Sequence, residues 1–128
     1  MTKRALVIDD NANNVSVMVE MLTLENVEYV AIQNPRQINA VIAENANFDV
    51  VFLDLEMPHI DGYEMLKMFQ SDARFENVPI VVYTVHVSEI GVARELGFHS
   101  FIGKPLDLDK FPIYLESILN DEPVWVTP

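Results

Sequence analysis

The sequence predicts an α/β domain, a doubly wound open sheet of five parallel strands carrying five helices. Three observations carry this expectation. Short apolar runs recur at Ala5–Ile8, Tyr29–Ile32, Val50–Leu53, Ile80–Tyr83 and Phe101–Ile102. Between the runs, apolar residues fall at helical spacing, so strands alternate with helices as in parallel βαβ units rather than hairpins. The third observation is size: 128 residues make about one domain, with length enough for one sizeable core.

The elements follow in order. Ala5–Ile8, Val50–Leu53 and Ile80–Tyr83 are apolar without polar alternation, as in central strands buried on both faces. Tyr29–Ile32 and Phe101–Ile102 are better suited to edges. Val15, Val19 and Leu22 stripe the first helix, and Met18 belongs to the core. Asn34-Pro35 supplies an N-cap with Pro at the first helical position, ahead of Ile38, Val41 and Ile42. Met65, Leu66 and Phe69 place the third helix against the sheet. Ser88-Glu89 reads as a cap followed by a favourable acid, Ile90, Ala93 and Leu96 as the fourth stripe, and Gly97 as its end. This helix is short, and Gly91 inside it costs about 1 kcal/mol against Ala. Phe111, Leu115 and Ile118 stripe the fifth helix. Because Pro112 is tolerated only in a first turn, regular helix is expected from near Asp109 rather than Asp107. The domain then spans residues 1–120. Residues 121–128 form a tail with the only Trp, read as a loosely ordered end; docking on its own domain or on a partner is the second reading.

Composition narrows the function. Eight basic against 20 acidic residues give a net charge of −12, which disfavours contact with nucleic-acid phosphates or anionic lipid. The absence of Cys excludes disulfides, thiolate zinc sites and Cys nucleophiles. No signal-peptide core or membrane-length apolar run occurs, so the expected location is cytoplasmic.

An open parallel sheet binds its ligand beyond the carboxyl ends of its strands. In this sequence Asp9-Asp10 end the first run, Asp54 the third, Thr84 the fourth and Lys104 the fifth. Each alone has a plain reading: a helix cap, a turn Asp, a Thr bonded to local backbone, a surface charge before Pro. Together they place three carboxylates, a hydroxyl and an ammonium at one crevice. Carboxylates held close repel unless a cation intervenes, which calls for a hard, oxygen-seeking metal, best Mg2+. Mg2+ leaves positions for phosphoryl oxygens while one carboxylate attacks phosphorus, so the set reads as a phosphoryl-transfer site with an Asp nucleophile.

The set Asp9-Asp10, Asp54, Met57-Pro58 with Asp61-Gly62, Thr84, and Lys104-Pro105 resembles the receiver domain of bacterial two-component response regulators, over nearly the whole chain. The resemblance implies the flavodoxin-like strand order 2-1-3-4-5. It implies that Asp54 accepts phosphate from a sensor histidine kinase or phosphotransfer protein. It also implies that Asp9, Asp10, Asp54 and the Glu56 backbone carbonyl hold Mg2+, and that Lys104 binds the phosphoryl group. By the same likeness Thr84 swings toward the phosphate and Phe101 changes burial in step, although a strand aromatic is ordinarily core. Lys104-Pro105 is then a cis peptide.

Some positions depart from the family. Val85 stands where a small residue is usual and is expected to narrow the approach of a phosphodonor. Thr84 and Lys104 are closer in sequence than in many members, which points to a shortened fourth-helix region. Glu56 and His86 occupy positions that tune phosphoryl lifetime in receivers, and that lifetime is expected to depend on both side chains and on pH through His86. His59 and His99 have no partner at metal spacing and read as loop and surface residues. The expected function is a free-standing phosphorylation switch that alters a surface for a downstream protein target, with homodimer formation left open. The alternative is a pseudo-receiver, a protein-interaction module independent of phosphorylation. A phosphotransferase acting on foreign substrates is disfavoured because Glu56, not Asp, stands two residues after Asp54. A flavin-mononucleotide binder is disfavoured because no Ser/Thr/Gly-rich loop follows the first strand.

Overall fold

A computed structural model describes residues 2–44, 47–57 and 60–128. The first half contains β1 (Arg4–Ile8), α1 (Ala12–Leu24), β2 (Glu28–Ile32), α2 (Ile38–Glu44), β3 (Val50–Leu53), β4 (Glu56–Met57) and β5 (Ile60–Asp61). The second contains α3 (Gly62–Gln70), β6 (Ile80–Thr84), α4 (Ile90–Leu96), β7 (Ser100–Gly103), α5 (Phe111–Leu119) and β8 (Trp125–Val126). The main sheet has six strands in the order β2-β1-β3-β6-β7-β8, and every pair in it is parallel. Its first five strands have the expected order; the sixth is an addition.

Alternation along each strand splits the core into two layers. Leu6, Ile8, Leu53, Val82 and Phe101 face the layer of α2, α3 and α4, where they meet Ile42, Leu66, Phe69 and Ala93. Val7, Phe52, Tyr83 and Ile102 face the layer of α1 and α5, against Met18, Leu22, Phe111 and Leu115. Strands buried on both faces need apolar runs without alternation, which is what the sequence carries. Each fully buried side chain contributes about 1.5–3 kcal/mol.

Asn34 caps the turn before α2 by accepting the Arg36 N–H at 3.1 Å, and Gly97 ends α4 at φ 101°, a left-handed position that favours glycine. The structure corrects several expectations. The tail is not a loose end: Val124, Trp125 and Val126, β-prone residues beside an edge of unpaired backbone, lie parallel to β7. In consequence β7 is an inner strand, buried at all four positions. Ser88 caps nothing, since residues 87–89 form a 3-10 turn with no side-chain cap. Leu96, the last residue of the seven-residue α4, is 47% exposed and does not complete the expected stripe. Regular helix in α5 starts at Phe111, two residues later than expected; Pro112 still sits in the first turn, and the Asp107 carbonyl accepts the Phe111 N–H at 2.8 Å. Glu56–Met57 and Ile60–Asp61 pair antiparallel in a small ribbon outside the main sheet. Pro58 and His59 lie outside the described residues.

Candidate phosphoryl-transfer site

Register builds the site. Ile8 is level with Leu53, and Leu53 with Val82, so the next residues, Asp9, Asp54 and Tyr83, stand side by side on adjacent strands. Asp10 lies one residue beyond. Asp9, Asp10 and Asp54 each offer a carboxylate oxygen within 4.8 Å of the others, while Asp9 and Asp54 are buried. Buried carboxylates this close are unstable as bare anions, and an all-oxygen donor set suits Mg2+.

Protein groups already offset part of that charge. The Lys104 ammonium is 8% exposed and donates to Asp9 Oδ2 at 2.9 Å, with Asp54 Oδ1 at 3.8 Å. Asn11 N–H donates to Asp9 Oδ1 at 2.9 Å, and Glu56 N–H to Asp54 Oδ1 at 3.2 Å. Burial nevertheless dominates at Asp54. Its pKa is pushed up from 3.8 to about 6 by desolvation, opposed by Lys104, reinforced by Asp9 and eased by the Glu56 N–H. At neutral pH the carboxylate is still mostly ionised and able to act as a nucleophile.

Thr84 ends β6 fully buried; its hydroxyl accepts the His86 N–H at 3.3 Å, and its carbonyl accepts the Lys104 N–H at 2.8 Å. Lys104-Pro105 is cis. His86 Nε2 contacts a Glu56 carboxylate oxygen, so the two expected tuning residues meet, both about half exposed. Asp61 caps α3 by accepting the Tyr63 N–H at 2.9 Å. Gly62 is needed for close approach, because a Cβ there would stand 2.7 Å from Leu55 Cδ2. Val85 is 58% exposed. Phe101 is fully buried in the α3 and α4 layer, away from the carboxylates. His99 is not a lone surface residue: its Nδ1 pairs with Ser100 Oγ at 2.8 Å and its Nε2 with Asp121 Oδ1 at 2.9 Å.

Sequence reasoning missed Tyr83. Its ring lies under the Lys104 ammonium, 4.4 Å from Nζ to the centroid, and packs edge-on against Phe52. Its hydroxyl is buried without a hydrogen-bond partner among the described residues. Burial, then the nearby Asp9 charge, pushes its ionisation far upward, so it stays a neutral phenol. In the sequence Tyr83 stands only as the end of an apolar run; aligning strand ends and alternating faces is the signal that places it beside Asp54.

Comparison with known proteins places the chain in a family. The response regulator receiver domain family matches residues 5–116. The chain belongs to that family. The receiver is 31% identical over 108 residues to stress response regulator protein 1 of Candida tropicalis, covering 81% of this chain and 40% of that protein. It is 28% identical over 125 residues to the osmosensing histidine protein kinase SLN1 of Saccharomyces cerevisiae, covering 92% of this chain and 10% of the kinase. It thus spans only a minor part of these curated relatives. The polar-differentiation response regulator DivK of Brucella ovis matches along 94% of this chain and 99% of its own, at 23% identity. Among solved structures, the chemotaxis response regulator CheY4 of Vibrio cholerae superposes with a TM-score of 0.81 at 22% identity, over 92% of this chain and 99% of that one. Receivers of this fold are signalling domains that accept phosphoryl groups, not enzymes turning over an external substrate. No helix among the described residues is long and apolar enough to cross a membrane.

Proposed function

We propose that Asp54 is the phosphoacceptor of a phosphorelay and that its modification switches a protein-binding surface of this receiver, in the cytoplasm. The observation that carries this reading is the buried Asp9, Asp54 and Lys104 constellation at the strand ends, with Asp10 beside it. The donor is a phosphohistidine on a sensor kinase or phosphotransfer protein; a relative named as a histidine kinase carries a similar segment. The net charge of −12 supports a protein target rather than nucleic acid or membrane.

In the proposed step, an Asp54 carboxylate oxygen attacks phosphorus and a P–O bond forms. The P–N bond breaks, its electron pair returns to the leaving imidazole, and that ring takes up a proton. Asp9, Asp10, Asp54 and the Glu56 backbone carbonyl would hold Mg2+, which when bound supplies positive charge to the phosphoryl oxygens. The Lys104 ammonium, shared between Asp9 and Asp54, turns to the phosphoryl group as Asp54 loses its free charge. Thr84 exchanges the His86 N–H for the new acceptor, donating its hydroxyl proton, and Phe101 repacks in step. Glu56 and His86 border this path, and replacing either with Ala is expected to change the lifetime of the acyl phosphate.

The test is intact mass after incubation with acetyl phosphate and Mg2+. A single phosphoryl adduct that requires Mg2+ and is absent in Asp54→Asn is expected. If neither acetyl phosphate nor a panel of histidine kinases yields an adduct, the reading fails and a phosphorylation-independent interaction module takes its place.

A further inference from the structure

Residues 122–128 follow the outer edge of β7, with Trp125 and Val126 paired parallel to it. Phe101 N–H donates to the Val124 carbonyl at 2.8 Å, and Val124 N–H donates to Ser100 Oγ at 2.9 Å. Phe101 pairs with Trp125, and Ile102 with Val126. Trp125 packs on the core layer containing Phe101, with the Arg94 guanidinium carbon 5.3 Å from its ring centroid. At one end of this strand, His99 ties Ser100 to Asp121. At the other end the packing closes around Gly103. A Cβ there would stand 2.7 Å from Pro128 Cδ, 2.8 Å from Val87 Cγ1 and 3.3 Å from the Thr127 Cα.

That contact joins the tail to Thr84. Val87 lies three residues beyond Thr84, whose hydroxyl accepts the His86 N–H. Gly103 pairs with Thr84 across the sheet and precedes Lys104. Farther along, Glu89 is held by the Tyr63 hydroxyl at 2.7 Å, so residues 85–88 are a short segment fixed at both ends. Turning the Thr84 hydroxyl toward a phosphoryl group frees the His86 N–H and shifts this segment. Packing that cannot admit a methyl group transmits such a shift instead of absorbing it. Repacking of Phe101 would act on the same strand from the core side, since its side chain belongs to the core layer on which Trp125 packs and its amide donates to the tail's Val124 carbonyl.

We propose that the edge Phe101–Gly103 is an interaction surface whose ligand is the chain's own residues 122–128, and that this ligand and a phosphoryl group on Asp54 oppose one another. Loading Asp54 releases the tail and uncovers the strand edge; the docked tail holds Thr84 and Phe101 in the unloaded arrangement. The inference rests on the phosphoacceptor reading above. Linkage makes the effect reciprocal: whatever factor loading takes from tail docking, removing the tail contacts returns to loading.

The experiment uses the full chain with Mg2+ and beryllofluoride as the phosphoryl stand-in. Binding is read by thermal shift, and tail docking by hydrogen exchange at the Phe101 amide and by emission of Trp125, the sole Trp. We expect about tenfold faster Phe101 exchange on binding, with a red-shifted Trp125. In the reciprocal arm, Trp125→Ala and Ser100→Ala are expected to bind beryllofluoride about tenfold more tightly; should the first fail to fold, the second carries that arm. Binding that leaves Phe101 exchange unchanged overturns the inference and spares the phosphoacceptor reading. Absence of binding in every chain overturns that reading, and the inference with it.

Discussion

Asp54 is held in a position that costs the fold stability, because burial disfavours its carboxylate. With its folded pKa near 6 against 3.8 for the free group, the native state grips the proton more strongly than the unfolded chain. The contribution of this group is therefore fully present below about pH 4 and lost as pH rises through about 6, a change of about 3 kcal/mol. In metal-free protein, Asp54→Asn should become progressively more stable than the wild type across that window, by about 1–3 kcal/mol at pH 7. Urea denaturation at several pH values measures it, and a pH-independent difference would show that Asp54 is not desolvated as described. Tyr83 makes a second claim at this scale. A desolvated cation–π contact is worth about 1–2 kcal/mol, so Tyr83→Leu should slow adduct formation about five- to thirtyfold. Tyr83→Phe keeps the ring face and should stay near the wild-type rate. Equal loss in both variants would assign the effect to the hydroxyl instead.

Among the elements, α3 and α4 show opposite uses of glycine. Gly91 has nothing within 4 Å of a Cβ built on it, so Gly91→Ala should stabilise the protein by about 0.5–1 kcal/mol through helix propensity alone. Gly62 starts α3 beside Leu55, and a Cβ there falls 3.2 Å from the Leu55 Cα as well as against its side chain. Gly62→Ala should cost about 1–3 kcal/mol and displace the segment that carries Asp54, slowing phosphorylation as well. Thermal melts of the two variants give the opposite signs directly. The boundaries that eluded sequence reading belong here too. The Ser88 cap failed because residues 87–89 take a tight 3-10 turn, and nothing local distinguishes that turn from the first turn of a helix.

Across the whole molecule, the sixth strand turns an edge into an interior. Phe101 and Ile102 looked too short a run for a central strand, yet Trp125 and Val126 cover them. Trp125→Ala should lower stability by about 1–3 kcal/mol, less than for a fully buried Trp because this ring is half-buried. Chemical denaturation followed by circular dichroism checks it, and an unchanged midpoint would mean that the tail contributes no packing.

Apolar runs, helical spacing and strand-end chemistry are local properties, written residue by residue. They are enough for the doubly wound sheet, its strand order through the family resemblance, and the grouping of Asp9, Asp10, Asp54 and Lys104. Register and long-range packing are not local. Whether Tyr83 sits beneath Lys104, whether Glu56 meets His86, and whether the tail lies free or extends the sheet depend on how separate strands align and which edge is left uncovered. Those energies arise between segments far apart in the chain, so they are settled only when the chain closes on itself.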